Sequence, residues 1–288
     1  MDELAHEIAK TPAVKSVAPQ FLPGIVLKPF AHSLAQMLYT QLAVWWTQDQ
    51  IFVPAQWRHA WVAFLPKPNK VPSCLDNLRA IALMEPLGKN VLGIITRQLR
   101  RAIHATIVRW PQFAYVEFRS AHDAIRRVSA HCLETRQLLR NQQRNVHQRA
   151  AQLPTFRTCG GIQLFLDIHR AFDAIPRQPL FDHLRSMPIN QDLVSILGSW
   201  HNETAYITQH DQISVETATG CGIRQGCRAA PVLWTAFTDL IFEALSQEIA
   251  STWIQKAVTL FADDIHCGDV FYSEWELEQI LCKFGILL

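Results

Sequence analysis

The sequence contains no run of about 18 uncharged apolar residues, the length that a membrane-spanning helix requires. A secretory layout is missing too: Met1-Asp2-Glu3-Leu4-Ala5-His6 is acidic where a signal peptide is basic and then apolar. The seven cysteines (Cys74, Cys132, Cys159, Cys221, Cys227, Cys267 and Cys282) are odd in number and nowhere spaced CxxC, which suggests neither a disulfide framework nor a zinc ribbon. Among twelve histidines, His266-Cys267 comes nearest to a metal-ligand pair and reads as structural. There is no internal repeat and no low-complexity tract. With 49% apolar and 18% charged residues, the composition is too apolar and too weakly charged for a disordered chain. The expectation is a soluble, intracellular protein whose 288 residues make one large domain or two ordinary ones.

A net charge of only +2 conceals two opposed blocks. Between Arg97 and Arg157 twelve arginines face three acids, Glu117, Asp123 and Glu134, for a balance of +9. From Asp239 onward nine acids face two lysines, for a balance of −7. Such separation points to a polyanion for the first block and a cation for the second, or simply to a solvated basic helix face.

Pro12, Pro19, Pro23 and Pro29 mark residues 1–30 as an irregular lead-in. Helical patterning follows over 31–49, 88–107 and 121–149, the last with Ala121, Ile125, Val128 and Cys132 on one face and arginines on the others. Ile162–Asp167, bounded by Gly160-Gly161, reads as a buried strand, and helices are expected over 178–187, 190–201 and 231–249. Hairpins are expected around His210-Asp211 and around Ala262–Asp264, and Ser273 with Glu276 forms a capping box that opens a last helix. Strands isolated between helices indicate the α+β class.

Two acidic positions each follow a short apolar strand. Alternation puts Gln163, Phe165 and Asp167 opposite Ile162, Leu164 and Leu166, with Asp167 at the strand's end. Asp263-Asp264 sits at the tip of an apolar hairpin, where adjacent carboxylates repel unless a cation compensates. Oxygen-only ligands of this kind suit Mg²⁺, although an ordinary Asp-Asp turn has the same spelling.

Several separated segments, taken in order, resemble the reverse transcriptases of non-LTR retrotransposons. Phe64-Leu65-Pro66-Lys67-Pro68, Leu78–Leu83 and Leu87-Gly88-Lys89 resemble the fingers pattern "(I/L)PKP…(Y/F)RPISL…(L/G)K". Leu166–Asp173 resembles LDxxxAFD, Gly222–Cys227 resembles GVRQGC, and Phe261–Asp264 resembles the (Y/F)ADD box. The resemblance covers roughly residues 50–288 and implies a polymerase palm, an antiparallel sheet packed on helices, with helical fingers. It implies RNA-directed DNA polymerase activity on an RNA template, a DNA primer and deoxynucleoside triphosphates, with two Mg²⁺ ions or Mn²⁺ in their place. Asp167, Asp263 and Asp264 are the implied catalytic and metal-binding carboxylates, with the Ile168 carbonyl as a backbone ligand. Lys67 and Arg79 are implied as clamps on the triphosphate, and Gln225 and Gly226 as the segment against the nucleotide and template. Phe172 is implied as the aromatic that excludes a 2′-hydroxyl, with plain core packing as its other reading, and Asp173 is a turn or helix-start residue.

Departures from the pattern accompany the matches. Ala80 and Ala82 stand where proline and serine are usual, and Arg228, Ala229 and Ala230 precede Pro231 in place of proline, leucine and serine. Gln112–Ser120 is a poor version of the glycine-rich "GFRPGRS" segment. The expected organisation is a partial domain, fingers-like over about 50–157 and palm over about 158–288, with no thumb after Leu288 and therefore little processive synthesis. A catalytically dead fragment that at most binds nucleic acid, and a group II intron-type enzyme, are the alternative readings.

Overall fold

The computed structural model describes every residue except 48–49, 75–76, 143–145 and 153–157. In chain order the elements are α1 (Asp2–Ala9), α2 (Gly24–Leu27), a 3₁₀ turn (Lys28–Phe30), α3 (Ala31–Trp45) and α4 (Ala55–Arg58). Then come β1 (Ala60–Pro66), β2 (Leu78–Leu83), α5 (Pro86–Ile107), α6 (Ala121–Gln142), α7 (Val146–Ala150) and β3 (Gly160–Asp167). The remainder is α8 (Arg177–Ser186), α9 (Gln191–His201), β4 (Thr204–His210), β5 (Ile213–Thr219), α10 (Ala230–Glu248), α11 (Ser251–Ala257), β6 (Val258–Phe261), β7 (Asp264–Phe271) and α12 (Glu274–Leu287). The α+β class is as the sequence implies. None of the described helices is long and apolar enough to cross a membrane.

Packing divides the chain into two compact units, one of residues 1–103 with 170–236 and the other of 104–169 with 237–288. The expected fingers-to-palm boundary at 157/158 abuts residues outside the described set.

The first unit holds a four-stranded sheet of order β2-β1-β4-β5, with antiparallel hairpins β1/β2 and β4/β5 joined by a short parallel pairing of Ala60–Trp61 with Tyr206–Ile207. Trp57 stacks on the fully buried Trp200, ring centroids 5.2 Å apart, and Leu92, Leu99, Leu180 and Leu197 complete its apolar centre. Residues 1–30 are not the irregular lead-in the prolines suggested. No proline falls within α1, whose Leu4 and Ile8 are buried, while Pro23 immediately precedes α2 and Pro29 lies in the 3₁₀ turn. Glu7 of α1 is buried and paired with Arg97 and, at 2.7 Å, with Arg228. Burial would raise the Glu7 pKa, but the hydrogen bonds from Arg228 and Arg97 outweigh it and hold the carboxyl below its ordinary value.

The second unit holds a three-stranded antiparallel sheet of order β3-β7-β6. Its core includes Ile107, Leu260, Cys267, Ile254 and the stacked pair Trp110 and Phe242. Residues 111–113 cover the outer edge of β6: the Leu260 N–H donates to the Pro111 carbonyl (2.9 Å), and the Phe113 N–H to the Leu260 carbonyl (2.8 Å). Ser120 and Asp123 cap α6 reciprocally, the Asp123 carboxylate accepting the Ser120 N–H at 3.0 Å. The buried face of α6 is turned relative to the expected one. Ala121 and Ile125 are exposed, while Ala124 and Leu138 are buried, with His131 against Gly268 and Thr135 against Gly161. The stripe 124–128–131–135–138 keeps helical spacing and meets the two glycines of the sheet where backbone approach is closest. Of the expected helix over 121–149, residues 143–145 lie outside the described set.

Two local expectations gain detail. His266 and Cys267 alternate to opposite faces of β7, so they cannot hold one ion together. Both are buried, and burial pushes the histidine down to about 4 and the thiol up to about 12. In the Ser273 cap the Glu276 N–H donates to the serine hydroxyl (3.2 Å), but the Glu276 carboxylate accepts from Tyr272, one residue before the cap.

Candidate active site

In the second unit β3 and β7 pair antiparallel from Gly160↔Phe271 to Asp167↔Asp264. This register sets Asp167 directly opposite Asp264 on one face of the sheet, with Cβ atoms expected about 5 Å apart in such a pair. Phe261 also pairs with Asp264, so Ala262 and Asp263 form a two-residue turn. Only Ala262 of the two has a positive φ (54°), the arrangement of a II′-type hairpin in which glycine is favoured. The Ile168 N–H donates to the Asp263 carbonyl at 3.1 Å, which ties the residue after Asp167 to the turn. Asp167, Ile168, Asp263 and Asp264 are thus gathered at one end of one sheet. Asp167 and Asp264 are exposed and Asp263 is half-buried.

Like charges directly opposite across strands destabilise a sheet, and the adjoining Asp263 adds a third. A divalent cation offsets this repulsion, and hard carboxylate and carbonyl oxygens are the donors that Mg²⁺ and Mn²⁺ take. The donor set therefore fits a divalent metal. Beside it a cavity of about 580 Å³ opens between α6 and the sheet, lined by Ile125, Val128, Phe165 and Phe261 with Asp167 and Asp264.

Tyr115 went unremarked in the sequence. It lies in the segment 112–120 with a positive φ (62°), and burial followed by the charge of Asp263 raises its phenol pKa. No local pattern marks it; its segment is brought to β6 by the pairing of Gln112 with Leu260, far along the chain.

The other expected site residues belong to the first unit. Lys67 and Arg79 sit at one end of the β1/β2 hairpin, where Leu65 pairs with Arg79 and the Lys67 N–H donates to the Asn77 carbonyl (2.8 Å). The Gln225 carbonyl accepts the Ala82 N–H (2.9 Å), so the segment 222–227 lies along β2. Gly226 has φ +99°, and a Cβ there would stand 2.8 Å from the Ala82 carbonyl oxygen, so only glycine fits without a shift. Lys89, half of the fingers pattern's last match, donates to the Gly226 carbonyl at 2.8 Å, and burial lowers its pKa. The Ile223 N–H donates to the Phe172 carbonyl (2.7 Å), and the half-buried Phe172 ring lies 5.0 Å from that of Trp234. Phe172 therefore has a packing partner, as its core reading requires, without being fully buried. Asp173 is a turn residue whose carboxylate accepts from Gln225 at 3.4 Å, and burial raises its pKa. Arg177, also unremarked in the sequence, donates to the carbonyls of Thr219, Cys221 and Gly222 and so fixes the entry to this segment.

An antiparallel sheet that presents three aspartates at its hairpin end is the architecture of a polymerase palm. Residues 65–282 match the family described as Reverse transcriptase (RNA-dependent DNA polymerase), and the chain belongs to that family. It is 21% identical over 240 residues to a probable RNA-directed DNA polymerase from transposon BS of Drosophila melanogaster, covering 83% of this chain and 24% of that protein. It is 22% identical over 275 residues to a retrovirus-related Pol polyprotein from type-1 retrotransposable element R1 of Bradysia coprophila, covering 92% and 23%. The chain thus spans about a quarter of the length of these relatives. In fold it is similar to apo telomerase from Candida tropicalis truncated from its C-terminal domain, with a TM-score of 0.51 at 11% identity over 86% of this chain and 51% of that one. Members of the reverse transcriptase family depend on a divalent metal.

Proposed function

We propose that this domain adds deoxynucleotides to a DNA primer on an RNA template, with Mg²⁺, or Mn²⁺ in its place, held by Asp167, Asp263, Asp264 and the Ile168 carbonyl. The observation that carries the reading is the register that sets Asp167 opposite Asp264 with Asp263 in the adjoining turn. When bound, a pair of such ions stabilises the attacking and leaving oxygens of the displacement. The carboxylates would hold those ions through their oxygens, and the hairpin fixes where the carboxylates stand. Lys67 and Arg79 supply positive charge for the triphosphate. Gln225 and Gly226 offer a backbone surface to nucleotide and template, which the glycine lets a ligand approach closely. Phe172 excludes a 2′-hydroxyl, with its ring braced on Trp234. Exposed arginines of α6, such as Arg126, Arg136 and Arg140, hold template phosphates without reading sequence. In this reading about 50–157 act as fingers and about 158–288 as palm.

The test is addition of a single nucleotide to a primer annealed to an RNA template, in the presence of Mg²⁺. Asp263→Asn is expected to lower the rate by at least about 10²-fold, as loss of a group stabilising transition-state charge does. Asp263→Asn turning over at the rate of the unaltered chain would remove the catalytic assignment.

A further inference from the structure

His131 on α6 and His266 on β7 approach one another between helix and sheet, with ring centroids 5.9 Å apart. Nε2 of His131 and both ring nitrogens of His266 are buried without a hydrogen-bond partner among the described residues. Orphaned imidazole nitrogens so close together are costly, because buried polar atoms are almost always paired with protein, water or an ion. Gly268 supplies room between them. A Cβ there would stand 2.9 Å from His131 Nε2 and 3.0 Å from His266 Cε1, the carbon that joins the two ring nitrogens. The space the glycine leaves open is therefore bordered by both rings. His266 also lines the cavity beside the carboxylates, which gives an ion a route inward.

The donor chemistry differs from that of the aspartates. Hard oxygens suit Mg²⁺, whereas imidazole suits Zn²⁺, Ni²⁺ and Cu²⁺. Two imidazoles bound to one tetrahedral Zn²⁺, with bonds of about 2.0–2.1 Å, have centroids roughly 5 Å apart. The observed 5.9 Å thus needs to close by only about 1 Å. Asp264 lies on the same face of β7 two residues along and supplies opposite charge. Arg127, whose charge also reaches His266, opposes it, although its guanidinium is engaged by the Gln255 carbonyl.

We propose that His131 and His266 form a second metal site, for a borderline divalent ion of the Zn²⁺ type, bound by one nitrogen of each ring with water completing its coordination. The ion pins α6, and with it the exposed Arg126, Arg136 and Arg140, to the sheet. The inference is independent of the metal reading of the aspartates, because different donors are involved.

The experiment is competition for Zn²⁺ between the full chain and a chromophoric chelator, in an excess of Mg²⁺. The unaltered chain is expected to retain one Zn²⁺, and Asp263→Asn to retain it equally. His131→Gln and His266→Gln should each weaken binding at least about tenfold, since even the outer partners of a metal ligand are worth about 10–100-fold. Both substitutions together should do little more than either alone, because each removes the same ion. Gly268→Ala, which keeps both histidines and fills the space between them, should also lose binding. Zn²⁺ should raise the melting temperature of the unaltered chain and not that of these variants. Zn²⁺ retained at full strength by His131→Gln, His266→Gln or Gly268→Ala would place the ion elsewhere, such as on an exposed cysteine, and overturn the proposal. Loss of Zn²⁺ in Asp263→Asn would assign the ion to the carboxylates and overturn it too. An unaltered chain that retains no Zn²⁺ would mean that water alone sits between the rings. Should the variants fail to fold, the imidazole resonances of the unaltered chain decide: those of His131 and His266 both shift on adding Zn²⁺, or the proposal fails.

Discussion

Gly222–Cys227 and Gln112–Ser120 are two loops that do similar geometric work with different residues. Each lies along a strand, the first along β2 and the second along β6. Each contains two positive-φ residues, but in the first these are Gly222 (80°) and Gly226 (99°), and in the second Tyr115 (62°) and Phe118 (62°). Against the pattern "GFRPGRS", Phe118 occupies the place of the second glycine. A left-handed conformation costs a non-glycine residue roughly 1–2 kcal/mol. The second loop tolerates this because Arg119 donates to the carbonyls of Val108, Trp110 and Gln112 and pulls the segment together. The first loop has its own arginine, Arg177, but there the glycines are also sterically required, since a Cβ on Gly222 would stand 2.5 Å from the Asp173 carbonyl oxygen. Loss of a glycine is therefore absorbed where the loop is open and held by a guanidinium, and not where backbone meets backbone.

The largest effect expected on this comparison comes from Gly226→Ala. The new methyl meets the Ala82 carbonyl oxygen at 2.8 Å, a backbone atom that cannot swing aside, and φ +99° is strained for any other residue. A loss of about 3 kcal/mol is expected, read as a lowered urea midpoint. A midpoint within error of the unaltered chain would mean that the segment relaxes as freely as its counterpart.

Arg119→Ala should come next. It removes the donors to three carbonyls and leaves them to water or to nothing, for an expected loss of about 2–3 kcal/mol. Arg119→Lys should recover only part of this, because an ammonium cannot reproduce the planar fork. Hydrogen exchange at Phe113 and Leu260, whose amides join the segment to β6, should rise in Arg119→Ala if the arginine organises the loop. Unchanged protection there would show that the β6 pairing alone holds it.

The same contrast explains which parts of the molecule were legible in the sequence. The strand ending at Asp167 and the hairpin around Asp263 were readable because alternation and turn spelling are local. Lys67, Arg79, Gln225 and Gly226 were found through motif resemblance rather than periodicity. The β1 and β2 strands were not called from patterning, because β1 does not alternate: its burial fades from Ala60 to an exposed Phe64, Leu65 and Pro66. Apolar periodicity in α6 points to a face that includes Ala121 and Ile125, whereas the helix packs with His131 and Thr135 toward the sheet. What decides the face is the pair of glycines, Gly161 and Gly268, on strands beyond the helix. α1 was hidden by proline density in its neighbours, and its docking depends on Arg97 and Arg228 far along the chain. The bridge of Gln112 to Leu260, which brings the segment 112–120 to β6, is announced by nothing in those residues.

The smallest effect expected is the most discriminating, because its sign is opposite to that of Gly226→Ala. Phe118 has φ 62° and is 97% exposed, so its ring contributes almost no burial that a substitution would forfeit. Phe118→Ala keeps a Cβ in the left-handed region and should leave the urea midpoint nearly unchanged. Phe118→Gly relieves the clash of that Cβ with the backbone, worth roughly 1–2 kcal/mol. Against this stands the greater freedom that glycine confers on the unfolded chain, roughly 0.5–1 kcal/mol. The balance is a stabilisation of about 0.5 kcal/mol, small but measurable as a raised midpoint beside Phe118→Ala. Phe118→Asn, which tolerates the left-handed region with less freedom in the unfolded state, should match or exceed it. A lowered midpoint for both Phe118→Gly and Phe118→Asn would show that the exposed ring stabilises the loop by a contact of its own. Arg119 would then no longer account for the loop's tolerance of its missing glycine.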